Sequence, residues 1–342
     1  MKRITALTAI LWGLAAAAQA EVPRVAVDIP PVQSLAARVM QGLGEPDLVV
    51  RPGASPHGYA MRPSEAAALE AADVVFFTSG QLTQWLEHAL EPLAGRAVTV
   101  ELLETPGSTE LESRQEALFA HKDHGAAKAE DHDHGEGEHV ADHDHDADHK
   151  ADADHDHDAD HDHGDDEHAH SGVDPHGWLD PENAKAWMTT MAEVLAKADP
   201  EHAGTYRANA EAGRAEIDAA VARAQALLDP VKGRPFFVHH DAYQYYEHRF
   251  GLEATGSVAR SDAAQPGPRR VAELRASVEG MGAVCIFSEP QFNPGLLATV
   301  FEGHEMRKAE LDPLGTALPL GPGLYPALIE TLARDIAGCL AD

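Results

Sequence analysis

Residues 121–170 hold 14 of the chain's 22 His and 19 of its 57 Asp and Glu, with three Lys, no Phe, Trp or Tyr, and no Ile or Leu. A stretch this polar cannot bury enough apolar surface to offset the entropy of ordering it, so the reading is disorder rather than core. The fold must therefore be built on either side of it. A second segment to set aside is Met1–Ala20, where Lys2 and Arg3 precede an apolar run from Ile4 to Ala18 and the small-x-small triplet Ala18-Gln19-Ala20. This is the pattern of a cleavable secretory signal, and its apolar part is too short to span a bilayer. About 270 of the 342 residues remain, enough for two domains of ordinary size.

Charge narrows the partners. The net charge is −31, and residues 121–170 carry −16 of it through three Lys against 19 acids. Such a field attracts cations and repels phosphate, which argues against nucleic acid and anionic lipid. The chain has two Cys, Cys285 and Cys339. In an exported protein a structural disulfide between them is the preferred reading over two unpaired buried thiols. A soluble periplasmic protein fits these features.

Short β-rich runs alternate with helical stretches on both sides of a helical block, the order expected of α/β domains. The predicted strands are Pro23–Ile29, Asp47–Arg51, Asp73–Thr78 and Ala97–Leu102, then Pro235–His239, Leu252–Val258, Ala283–Ser288 and Met306–Leu311. Helices are predicted at Val32–Gln41, Ser64–Ala72 and Leu82–Leu90, and at Ala242–Arg249, Arg269–Glu279 and Pro294–Phe301. In the central block Asp180 is placed to cap a helix Pro181–Lys197 with Pro181 in its first turn. A second run, Asp199 to Leu228, reads as a long rigid helix. The expectation is two lobes, each with a four-stranded, mostly parallel sheet flanked by helices. Residues 21–199 form the first, 200–228 the linking helix and 229–342 the second.

In open α/β sheets ligands bind beyond the carboxyl ends of the strands, which draws attention to the loops there. His57 sits between Pro56 and Gly58 after a predicted strand, on a frame that leaves its ring free to project inward. His176, in Asp174-Pro175-His176-Gly177-Trp178, is either a ligand or the last histidine of the His-rich run. The strand Phe236–Val238 ends in His239 and His240. Alternation along a strand sends these two to opposite faces, and His240 is the better candidate. His239 is expected to pack at an edge or meet solvent. Asp241 reads as a helix cap or an acceptor behind a ligand. Glu289 could be a base, a ligand or, by preference, a carboxylate that bonds loop amides. Asp312 is open between a ligand and a turn-initiating carboxylate. His88, His202, His248 and His304 read as surface residues. Three His from separate loops with at most one carboxylate match the ligand chemistry of Zn²⁺.

Five motifs in order then resemble a known family: Ala54-Ser55-Pro56-His57-Gly58-Tyr59, Asp174-Pro175-His176-Gly177-Trp178-Leu179-Asp180-Pro181, His240-Asp241-Ala242-Tyr243, Ser288-Glu289-Pro290-Gln291-Phe292 and Leu311-Asp312-Pro313-Leu314-Gly315. Together with the His/Asp-rich insertion they are similar to the metal-binding periplasmic components of ABC importers, most closely the zinc-uptake members. The resemblance implies two lobes joined by a long helix, with one metal ion between them held by His57, His176 and His240. It favours zinc over manganese, because manganese members are carboxylate-rich where this chain has His240. Some zinc members carry a carboxylate just before the first His, where this chain has Pro56, so Asp312 or water would complete the shell. The resemblance also implies a disulfide between Cys285 and Cys339, and no enzymatic activity. The implied partners are an inner-membrane ABC permease and a periplasmic zinc chaperone, with the protein itself a monomer. Repeated His-Asp-His units in 121–170 would add weak Zn²⁺ sites. Competing readings are a manganese-binding member of the same transport family, a zinc hydrolase with Glu289 as general base, and an adhesin or purely structural metal-binding protein. The chain has no His-Glu-x-x-His helix of the kind many zinc hydrolases use.

Overall fold

The computed structural model describes residues 21–114, 116, 118–119, 172–259, 266–278, 285–292, 295–303 and 306–341. The expected signal segment, the His/Asp-rich stretch and His304 lie outside these residues.

Two four-stranded sheets carry the fold, and every ladder in them is parallel. The first is built from β1 (Val25–Val27), β2 (Asp47–Leu48), β3 (Val74–Phe77) and β4 (Val98–Glu101), in the order β2-β1-β3-β4. The second repeats this plan with β5 (Phe236–His240), β6 (Gly256–Ala259), β7 (Cys285–Ser288) and β8 (Arg307–Glu310), in the order β6-β5-β7-β8. Three of the central strands are short, mostly apolar and buried along their whole length: VAV in β1, VVFF in β3 and FFVHH in β5. That is the pattern of parallel strands covered on both faces by helices. The edge strands β4 and β8 carry polar and charged side chains instead, which discourages further pairing. All eight predicted strands are present, several of them trimmed at the ends.

The first sheet is flanked by α1 (Pro30–Val39), α2 (Pro63–Ala71) and α3 (Gln84–Ala94). α6 (Gln244–Phe250), α7 (Pro268–Val278) and α8 (Gly295–Val300) accompany the second. Between the two sheets in sequence come α4 (Pro181–Ala198) and α5 (Ala203–Leu228). α4 starts as the sequence predicts: the Asp180 carboxylate accepts the Glu182 backbone N–H at 2.9 Å, and Pro181 occupies the first turn. A 3₁₀ turn, Pro200–His202, separates α4 from α5, whose 26 residues extend about 39 Å.

One long element was not anticipated. α9 (Leu324–Leu340) is amphipathic, with Leu324, Tyr325, Leu328, Ile329, Leu332, Ala333, Ile336 and Leu340 all buried. It packs on α5 and α1. A continuous apolar core runs from β1 and α1 through α4 and α5 to β5 and α9. The predicted disulfide is present: Cys285 in β7 bonds Cys339 in α9, across 54 residues of chain. Closing a loop of that size in the unfolded state is worth up to about 4 kcal/mol. No helix among the described residues is long and apolar enough to cross a membrane.

Candidate metal centre

His57, His176 and His240 come from three distant stretches of chain, and one ring nitrogen of each lies within 4.8 Å of the other two. His176 Nε2 is 3.3 Å from His57 Nε2 and 3.4 Å from His240 Nε2. Tetrahedral bonds of about 2.05 Å from a zinc ion place neighbouring nitrogens about 3.3 Å apart, so the spacing is that of three corners of such a site.

Each ring is positioned by its own surroundings. The His57 loop follows β2 and is fastened at its middle, where the Trp85 indole N–H donates to the Pro56 carbonyl at 2.7 Å and the Tyr59 ring lies 5.4 Å from that of Trp85. Tyr59 donates its hydroxyl to Glu65 and accepts from Arg51 Nε, both at 2.8 Å. His57 is half-buried, the most accessible of the three.

His176 is buried just ahead of α4. Its Nδ1 lies 2.7 Å from Asp174 Oδ1, which also accepts its backbone N–H at 3.0 Å. Gly177 lets the chain pass against the first half of the molecule, because a Cβ there would sit 2.5 Å from Leu103 Cδ1. Trp178 donates its indole N–H to the Pro313 carbonyl at 2.8 Å and so ties this loop to the one holding Asp312.

His240 closes β5, at the carboxyl end of a central strand, as the open-sheet rule requires. Its Nδ1 lies 2.6 Å from Glu289 Oε1, in the loop after β7. Both carboxylates are almost wholly enclosed, Asp174 at 2% and Glu289 at 3% exposure. A carboxylate facing Nδ1 accepts a hydrogen bond from the proton there, which fixes that tautomer and leaves the Nε2 lone pair for the interior. The Nε2 lone pairs of His176 and His240 then face one another at 3.4 Å. Two lone pairs this close repel unless a cation or a proton sits between them. Burial pushes the Asp174 carboxyl up to about 7, against the His176 amide and Arg114, which both act to lower it.

The remaining candidates divide. Asp312 forms a turn: its carboxylate accepts the Leu314 and Thr316 backbone N–H groups and the Thr316 hydroxyl. No oxygen of Asp312 joins the three nitrogens within 4.8 Å. Glu289 accepts from the His240 amide at 3.4 Å, and its short contact, 2.6 Å, is to the His240 ring. Asp241 does not cap α6, whose cap residue is Tyr243. It pairs instead with Arg114, whose Nε lies 3.0 and 2.9 Å from its two oxygens. His239 does not meet solvent and is not on an edge strand. It is buried on β5, between β6 and β7, with its ring stacked 3.9 Å from Phe292. His88 and His248 are exposed, and His202 is half-buried beside Asp199, 2.7 Å away.

Asp174 and Arg114 make contacts around the site that the sequence reading did not assign. The adjacency of Asp174 to His176, two residues on, was a usable signal. Nothing in the sequence around Arg114 pointed to Asp241, 127 residues away.

The profile of the family described as "ZnuA: Zinc-uptake complex component A periplasmic" matches residues 25–339. The high-affinity zinc uptake system protein ZnuA of Brucella suis biovar 1 is 43% identical over 317 residues, covering 93% of this chain and 91% of its own. Its namesake from Paracoccus denitrificans is also 43% identical, over 336 residues, covering 98% and 97%. A crystal structure of ZnuA superposes with a TM-score of 0.68 over 94% of this chain and 100% of its own, at 20% identity, a likeness of fold.

Proposed function

Since the chain belongs to the ZnuA family of periplasmic zinc-uptake components, we propose that His57, His176 and His240 hold its cargo Zn²⁺ for delivery to an ABC permease. The observation that carries this reading is the pair of Nε2 separations, 3.3 and 3.4 Å. Nitrogen donors of this number suit zinc, whereas an oxygen-rich set would suit manganese, magnesium or calcium. The fourth position falls to water, or to Asp312 if its turn opens. Met1–Ala20 directs export and is removed, and the mature protein works as a monomer.

A carrier role accounts for Glu289 better than hydrolysis does. A general base must reach a metal-bound water, but this carboxylate is enclosed and 2.6 Å from His240 Nδ1. It orients the ring and raises its basicity, as Asp174 does for His176. Glu289→Gln and Asp174→Asn are each expected to weaken Zn²⁺ binding about 10–100-fold, measured by competition with a chelator of known affinity. Unchanged affinity in both would show that the carboxylates do not support the site.

Residues 121–170 add weak sites that collect Zn²⁺ for the tight one. Deleting them is expected to lower the zinc stoichiometry in equilibrium dialysis to one ion per chain with the tight affinity retained. A stoichiometry equal to that of the full chain would contradict the role.

A further inference from the structure

Arg114 lies in a strap of chain, described at residues 111–114, 116 and 118–119, that follows β4 and its loop and touches the surroundings of two of the three histidines. On one side the strap bonds the segment that carries His176. Leu111 O accepts from Asp174 N at 2.7 Å, Ser113 N donates to Gly172 O at 2.9 Å, and Glu112 bridges Val173 in antiparallel fashion. Asp174 is the residue whose carboxylate orients the His176 ring. On the other side the strap reaches the second sheet, where Phe119 N donates to Thr255 O at 2.9 Å and Leu118 bridges Gly256.

The Arg114 guanidinium sits between these two attachments. Its Nε faces both oxygens of Asp241, the residue after His240, and its two terminal nitrogens reach Glu247 at 3.1 and 2.9 Å. One face lies 3.6 Å from the centre of the Phe119 ring. Asp241 and Glu247 are both buried. A planar fork with five donors can satisfy two carboxylates at once, which a lysine cannot do. Tyr245 completes the junction, accepting from Leu111 N and donating to Asp174 O, both at 3.0 Å.

The stretches of chain that hold His176 and His240 are thus joined through the strap as well as meeting at the three-histidine cluster. Any movement that separates His240 from His176 must pull Asp241 and Glu247 away from Arg114 or drag the strap with them. Breaking a buried, hydrogen-bonded charge pair leaves uncompensated charge and is strongly opposed. We propose that Arg114 is a positioning residue that sets the rate of cargo release, by fastening the His240 end of β5 to the strap that holds Asp174. This rests on the reading of the three histidines as the zinc site.

The test is the rate of Zn²⁺ loss to excess chelator from the full mature chain. Arg114→Met is expected to release zinc at least about tenfold faster than wild type, with association changed less than threefold and the tetrahedral visible bands of bound Co²⁺ preserved. Arg114→Lys should fall between the two. Because Arg114→Met leaves two buried acids unpaired, a second variant adds Asp241→Asn and Glu247→Gln, which removes those charges, and fast release is expected there too. A merely structural role would lower the melting temperature of the metal-free protein and leave the release rate alone. Wild-type release rates in both variants overturn the proposal, as does loss of the Co²⁺ bands, which would mean that Arg114 builds the site rather than timing its opening. Absence of those bands from the wild-type protein would instead defeat the three-histidine reading itself.

Discussion

Replacing any one of His57, His176 or His240 by Ala is expected to weaken Zn²⁺ binding by about two to three orders of magnitude. Structural zinc sites with four ligands have apparent binding free energies of about 10–16 kcal/mol at neutral pH, so one ligand accounts for about 2.5–4 kcal/mol. The three variants should differ in their side effects. His57 is half-buried, and its loop is held by Trp85 and Tyr59 independently of its ring, so His57→Ala should lose affinity with little change in fold stability. His176→Ala and His240→Ala strip Asp174 and Glu289 of ring partners at 2.7 and 2.6 Å in enclosed surroundings. A buried carboxylate without its partner costs stability, so these two should also melt earlier. Chelator competition gives the affinities and calorimetry of the metal-free proteins gives the stabilities. Undiminished affinity in all three variants would reject the site.

Acid should unload the protein steeply. An imidazole binds metal only when Nε2 is unprotonated, and the ordinary imidazole pKa is about 6.5. Three such rings must each lose a proton before zinc binds, so affinity rises with pH up to about neutrality and then levels. Between pH 7.5 and 5.5 the expected loss is up to about a thousandfold. Asp174 pushes in the same direction. Burial raises its carboxyl to about 7, so in acid it holds a proton and no longer accepts the Nδ1 proton of His176. Chelator competition across this range checks the prediction. An affinity flat to pH 5.5 would mean that oxygen ligands, not imidazoles, dominate the site.

The sequence was most legible where local chemistry acts alone. Strands such as Phe236–His240 announce themselves by continuous apolar runs, and Asp180-Pro181 announces the start of α4 by its capping chemistry. The three histidines stood out because each sits on a Pro/Gly or strand-end frame that aims a side chain. Pairings over long separations were not legible. That Glu289 orients His240 across 49 residues, or that Arg114 meets Asp241 across 127, depends on how the parallel strands and the strap are brought together, which no local pattern encodes. Asp241 next to a predicted helix start read locally as a cap or an acceptor behind a ligand, but the helix begins two residues later than predicted and the Asp241 oxygens face the Arg114 guanidinium. α9 is a different case. Its buried residues recur at helical spacing and could have been found from the sequence.

The same geometry explains how a deep nitrogen site can belong to a carrier. Two rings are enclosed and one is half-buried, so the His57 side of the cluster lies nearest to solvent. The Trp178 bond to Pro313 and the Tyr325 hydroxyl bond to the Trp178 carbonyl at 2.7 Å hold the C-terminal loops against the His176 segment. Gly321 N and Tyr325 N bond Gln33 and Ser34 of α1 at 3.2 and 2.9 Å, which ties the last helix to the first. Large hinge motion would have to break these enclosed bonds, so release through a small local opening is the economical route.

A zinc-edge anomalous diffraction map of the zinc-loaded protein tests the central claim most directly. A single strong peak about 2.0–2.1 Å from Nε2 of His57, His176 and His240 is the predicted result. A peak that lies elsewhere, or that touches fewer than two of these nitrogens, would contradict it.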